Sequence, residues 1–218
     1  MRVHMKYKSI TFTPLLLSSV VSPCVMAGDN EFGASATIVS QYLFRGFDLS
    51  DEDPAVQGDI SLDHSSGLWF SLWASTYDVV TDDGVEIDIA GGYSHEISDN
   101  VSVSVGFTEY TYTGDTDSTT EFNIGASFHD FSITYYSDQD LDADYIELGY
   151  EIAINNKSSL TLHAGRLDFD AGGDNNDYSI TYAYDLTDNA QFFVAYSSND
   201  LDIPGAEDYF IGGFTFTF

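Results

Sequence analysis

The chain has 218 residues, with 36 Asp and Glu against 6 Lys and Arg, a formal net charge of −30 and 15% aromatic residues. Such an excess of negative charge makes nucleic acid a poor partner, and so many aromatics argue against low-complexity disorder. No apolar run reaches the roughly 18 residues of a transmembrane helix, and the length suits one domain.

Residues 1–27 follow the grammar of a cleavable secretory signal. Arg2, Lys6 and Lys8 precede an apolar stretch from Ile10 to Val21, and Val25-Met26-Ala27 offers small residues for cleavage after Ala27. The expected division is a signal peptide at 1–27 and a barrel at 28–218. Removing the leader takes away the only Cys, Cys24, and leaves Arg45, Lys157 and Arg166 as the cations of the mature chain. Neither a disulfide nor a Cys-based metal site is then available.

Beyond the leader, short alternating segments are divided by turn residues. The pattern predicts strands near 32–45, 55–64, 68–77, 85–96, 101–113, 119–128, 131–137, 145–154, 160–168, 177–184, 190–198 and 208–218. Several approach the roughly 9–11 residues that a tilted strand needs to cross a bilayer. The weak segment Phe131–Ser137 is where a count of ten would begin. Pro54 and Pro204 fall between strands, where a missing amide donor does no harm. Tight connections at 65–67, 97–100, 129–130, 155–158 and 185–189 interleave with mostly longer, acidic ones at 46–54, 78–84, 114–118, 138–144, 169–176 and 199–207. This sorting fits an all-β, transmembrane, antiparallel up-and-down barrel of about 12 strands with both ends on the tight-turn side.

The faces sort as well. Val56, Gly58, Ile60 and Leu62 alternate with Gln57, Asp59, Ser61 and Asp63; Ile146, Leu148, Tyr150 and Ile152 alternate with Glu147, Gly149 and Glu151. A lipid-facing carboxylate is costly and a dry core cannot hold many unpaired charges, so the polar face belongs to a watered interior. Aromatics cluster toward strand ends (Tyr42, Phe44, Tyr93, Tyr110, Tyr112, Tyr135, Tyr136, Tyr182, Tyr184, Tyr196 and Tyr209), and interface girdles explain those that face outward. In the closing strand Phe210, Gly212, Phe214, Phe216 and Phe218 share one face. A final strand that ends on an aromatic residue resembles the end of outer-membrane barrels.

Several strings sharpen that likeness: Tyr42-Leu-Phe-Arg-Gly46, Pro54-Ala-Val-Gln-Gly-Asp-Ile60, His64-Ser-Ser-Gly67 with Trp69 and Trp73, and Glu86-Ile-Asp-Ile-Ala-Gly-Gly-Tyr93. In this order they resemble the TorF family of porin-like outer-membrane proteins. The resemblance implies a porin and no particular solute. The segment Phe47–Asp53 departs from a polar, ISQT-like stretch carried there by many relatives.

Arg45, Asp59, Asp63, Glu86, Asp88, Glu121, Glu147 and Glu151 are the expected pore-lining residues. The carboxylates would attract cations and repel anions, and Arg45 would shape the field or pair with them. Phe214, Phe216 and Phe218 are the expected C-terminal insertion signal, read by the barrel-assembly machinery. The other expected partners are outer-membrane lipid, lipopolysaccharide, and small solutes or cations. The run Asp140, Asp142, Asp144 and Glu151 has EF-hand spacing, but Tyr145 replaces the required glycine and a strand follows, so no specific metal site is expected. No cofactor and no enzymatic activity are expected: G-x-S-x-G is absent, and His64, His95, His129 and His163 carry no catalytic spacing. The expected function is passive diffusion of small hydrophilic solutes, with cations preferred, in the cell outer membrane. A non-conducting structural or adhesive barrel and a lipid-modifying barrel enzyme are the competing classes.

Overall fold

In the computed structural model, residues 25–27, 29–79, 81–201 and 208–218 are described. The expected leader lies outside them except for Val25–Ala27, a short strand paired with Asn30–Phe32; Pro204 and Glu207 also lie outside. Twelve strands build the wall: β1 Asn30–Val39, β2 Ala55–His64, β3 Leu68–Val79, β4 Asp82–Ser98, β5 Val101–Tyr112, β6 Thr119–Phe128, β7 Phe131–Asp138, β8 Ala143–Asn155, β9 Ser158–Phe169, β10 Asp174–Thr187, β11 Ala190–Asn199 and β12 Tyr209–Thr217. Each is antiparallel to its neighbours in sequence, and β12 pairs with β1, so the sheet closes without an edge. At the seam Phe218 N donates to Ala34 O at 3.0 Å, and Thr37 Oγ1 meets Thr215 Oγ1 at 2.9 Å. β7 pairs along its whole length with β6 and β8, which settles the count at twelve.

The alternation read from sequence is the alternation between outside and inside. Ile38, Val56, Ile60, Phe122, Ile124 and Phe214 are exposed, whereas Thr37, Gln57, Glu121, Asn123 and Thr215 are buried. Apolar outside and polar inside reverses the order of a water-soluble protein and is the order a membrane wall requires. Of the strand-end aromatics, Tyr93, Tyr135, Tyr182 and Tyr184 face outward, whereas Tyr42, Tyr110 and Tyr209 are buried inside and belong to no girdle.

Three expectations need correction. The first strand stops at Val39 rather than running to Arg45, and residues 41–50 turn back into the barrel before exposed residues 51–54 lead into β2. The acidic stretch expected to form a connection over 78–84 is mostly wall, because β3 continues to Val79 and β4 already starts at Asp82. Asp82 holds that rim together by accepting from Tyr77 Oη (2.6 Å), Asp115 N (3.0 Å) and Thr116 N (2.9 Å). Nor is the interior uniformly polar: Tyr42, Leu43, Trp73, Tyr77, Phe193 and Ile211 form an apolar cluster inside it. Alternation assigns a residue to a face, but it carries no information on a connector that folds into the space enclosed.

Candidate functional site

The connection between β1 and β2 decides what the interior looks like. Ser40 N donates to Gly212 O at 2.8 Å and Ser40 Oγ accepts from Gly212 N at 3.0 Å, so the chain leaves the sheet at a fixed point. Leu43 then pairs with Asp48 and Phe44 with Phe47, making a miniature hairpin. Its two turn residues, Arg45 (φ 51°) and Gly46 (φ 83°), are both left-handed. Successive left-handed residues are what a two-residue hairpin turn requires. Glycine adopts that conformation freely, but an arginine there costs ~1–2 kcal/mol.

The wall holds this strained turn from several sides. Asn175 Nδ2 of β10 donates to Arg45 O at 3.0 Å, and Asn199 Nδ2 of β11 donates to Gly46 O at 2.8 Å. Asp78 N of β3 donates to Leu49 O at 2.9 Å. Tyr42 Oη donates to Glu86 Oε2 at 2.9 Å. Ser50 Oγ accepts from Tyr42 N at 2.8 Å and is braced by Asp48 Oδ1.

At the hairpin tip, Arg45 Nη2 donates to both oxygens of Glu121, at 2.9 Å and 2.7 Å. The two side chains are only 9% and 2% exposed. The guanidinium carbon lies 4.7, 5.1 and 4.2 Å from the ring centroids of Phe44, Tyr136 and Tyr145. Tyr110 Oη donates to Glu121 Oε1 at 3.1 Å. An ion pair so enclosed depends on further support, here the Tyr110 hydrogen bond to the carboxylate and the rings packed against the guanidinium.

A second group continues around the wall. Tyr136 Oη donates to Glu147 Oε2 at 2.9 Å. His163 Nε2 lies 2.7 Å from Asp177 Oδ1 and 3.1 Å from Tyr145 Oη, with His163 Nδ1 3.4 Å from Glu147 Oε1. The other expected lining residues also face inward. Glu86 and Asp88 are buried, and Tyr112 Oη donates to Glu86 Oε1 at 3.0 Å. Asp59 is half-buried and accepts from Ser71 Oγ at 2.9 Å. Half-buried Asp63 and Glu151 sit toward the short-turn halves of β2 and β8. Arg45, Glu86, Glu121 and Glu147 therefore belong to one connected band, joined through Tyr42, Tyr110, Tyr136 and Tyr145.

Asn175, Asp177 and Asn199 were not foreseen from sequence. The alternation Asn175, Asp177, Ser179, Thr181 on β10 does mark one polar face, but only the inward hairpin gives that face a partner. His163 touches Tyr145, Asp177 and Glu147 and no serine among these contacts. His64 Nδ1 meets Ser66 Oγ at 2.8 Å but also accepts Ser66 N at 3.1 Å, a local turn contact with no orienting carboxylate among the described residues. No group of three or more His, Cys, Asp or Glu among the described residues is placed to hold a metal ion. At the long-connector rim, Asp200 Oδ1 and Oδ2 accept from Asn176 N at 2.7 Å and Asn176 Nδ2 at 2.6 Å. These bonds hold the Asp200 carboxyl below the usual carboxylate range.

The architecture is similar to that of solved outer-membrane channels. The KdgM porin matches with a TM-score of 0.63 at 11% identity, over 86% of this chain and 99% of its own. The NanC porin matches with a TM-score of 0.56 at 11% identity, over 85% and 97%. An outer-membrane channel from Pseudomonas putida F1 matches with a TM-score of 0.52 at 10% identity, over 93% and 99%. At such identities the likeness is one of fold. No curated protein matches the sequence. A family model matches residues 25–210, and the chain belongs to that family, Gcw_chp, a group of bacterial proteins of unknown function.

Proposed function

We propose that this barrel is a porin-like outer-membrane channel for passive diffusion of small hydrophilic solutes, with cations preferred. One observation carries the preference. Glu86, Asp88, Glu121, Asp138 and Asp177 are buried on the inward side, with Glu147 beside them, and Arg45 is the one buried arginine or lysine among the described residues. Asp88 Oδ1 is buried and has no hydrogen-bond partner among the described residues. An enclosed space lined by an excess of carboxylates over cations concentrates counter-ions.

The oligogalacturonate named with a KdgM porin structure is a polyanion and would be repelled by this interior, so it is not carried over. Export through residues 1–27, with the short turns then facing the periplasm, is part of the same reading, as is kinship with the TorF porins. A non-conducting structural barrel is the second reading. The inward hairpin favours it, since Tyr42 and Leu43 are 2% and 1% exposed and fill part of the interior.

The test is current through the refolded mature chain in a planar bilayer under a KCl gradient. Discrete steps with a cation-side reversal potential are expected, and Glu86→Gln, Asp88→Asn and Glu147→Gln together should move that potential toward zero. A silent bilayer containing barrels shown to be folded by heat-dependent gel mobility would refute the channel and leave the structural reading.

A further inference from the structure

Arg45 is held the way a receptor holds a guanidinium ligand. The holding groups are Glu121 of β6, Tyr136 of β7 and Tyr145 of β8, with Tyr110 of β5 bracing the carboxylate; of the close contacts only Phe44 comes from Arg45's own hairpin. A bidentate carboxylate together with three aromatic rings within about 5 Å of the guanidinium carbon matches a flat, weakly hydrated cation better than a compact one such as Na⁺. Two further buried acceptors belong to residues that neighbour the cage residues in the wall. Asn123 lies two residues along β6 from Glu121, and Asp88 stands opposite Tyr110 across the β4–β5 pair. They are 7% and 4% exposed, and the Oδ1 atom of each has no hydrogen-bond partner among the described residues. Finally, the occupant is tethered through a strained left-handed residue on a hairpin with only two paired positions per arm.

We propose that this cage is a binding subsite for guanidinium-type organic cations, and that Arg45 is its built-in occupant at rest. This rests on the reading of the barrel as a cation channel and names the class of cation. A soluble guanidinium competes with a side chain whose effective concentration, set by a short tether, is of millimolar order or higher. Wild type is therefore the weak binder, and emptying the cage reveals the site.

The experiment uses the full mature chain, methylguanidinium chloride as probe and NaCl at equal ionic strength as control. Two readouts are taken: the thermal midpoint of heat-dependent gel mobility, and current in a planar bilayer. In Arg45→Ala, millimolar methylguanidinium should raise the midpoint and reduce the current, with at least a tenfold lower half-effect concentration than in wild type. The combined Arg45→Ala, Glu121→Gln variant should lose the response. If Arg45→Ala does not assemble, Gly46→Ala frees the hairpin with the cage groups intact and should respond in the same direction. Equal responses to methylguanidinium and NaCl, equal sensitivity of wild type and Arg45→Ala, or a response that survives Glu121→Gln would each overturn the proposal. Current without a methylguanidinium response sinks the cage and keeps the channel. A shifted midpoint in silent bilayers keeps the cage and sinks the channel.

Discussion

Gly46→Ala should release the hairpin while the barrel stays intact. A Cβ at Gly46 would lie 3.0 Å from Asn199 Cβ and 3.0 Å from Asp177 Cβ, both on the wall. These contacts are tighter than ordinary packing and fall on the first side-chain carbon, which cannot swing away as a flexible tip could. Overpacking of this kind costs ~1–3 kcal/mol. Left-handed backbone at φ 83° adds ~1–2 kcal/mol for alanine relative to glycine. Neither cost touches the strand ladder, so together they weaken docking of the hairpin by about 2–5 kcal/mol. At ~1.4 kcal/mol per tenfold, the undocked population rises roughly 30-fold to a few thousand-fold.

The sequence supplies the assay. Beyond the leader, trypsin has three targets, Arg45, Lys157 and Arg166, and Arg45 is 8% exposed. When opening and reclosing are fast relative to cleavage, the rate of cutting after Arg45 follows the open population. Mass spectrometry should show that cut accelerating by the factor above, while cleavage at exposed Lys157 stays unchanged. Unfolded wild-type and variant chains, digested in parallel, correct for the altered neighbour of Arg45. An unchanged cut in a folded Gly46→Ala barrel would refute the claim that the wall holds the turn by close contact.

Two further outcomes follow from the rim and the seam. The Asp200 carboxyl is held low by its bonds to Asn176, so its contribution is fully present above the unfolded aspartate value near ~4 and is lost as pH falls through the lower folded value. Hydrogen exchange at Asn176 N should therefore lose protection on acidification below about pH 4, and Asp200→Asn should remove that pH dependence; protection that is constant with pH, or equally pH-dependent in Asp200→Asn, would contradict the assignment. Phe218→Ala removes an exposed ring but leaves the Phe218 N bond to Ala34 O. Refolding in detergent should be unaffected while the yield of barrel assembled in cells falls; equal yields in cells would remove Phe218 from the insertion signal.

What the sequence determined by itself is everything that depends on a two-residue period. Gln57 and Asp59 against Val56 and Ile60, or Thr215 and Thr217 against Phe214 and Phe216, define two faces without reference to any partner strand. An acidic face and an apolar face on strand after strand leave a membrane wall around a wet interior as the economical solution, and closure follows from the need to pair every edge. The sorted connections pointed to about twelve strands with both ends on the short-turn side, and the pairing of β7 on both sides decided between twelve and ten. The inward direction of Glu86, Asp88, Glu121 and Glu147 was legible on the same ground.

Tertiary structure alone decided what those carboxylates face. Arg45 reads in sequence as one more residue on the polar face of an extended first strand. It leaves that strand because Ser40 closes the ladder on Gly212, and because Arg45-Gly46 can form a left-handed turn. The turn's partners are 76 residues away at Glu121 and 130 away at Asn175. No local spacing encodes such contacts, since they form only once the barrel has closed around the hairpin. The aromatic interior has the same origin: Tyr110, Tyr136 and Tyr145 suit a lipid interface as well as a lumen, and only the position of the guanidinium among them gives the rings a common role.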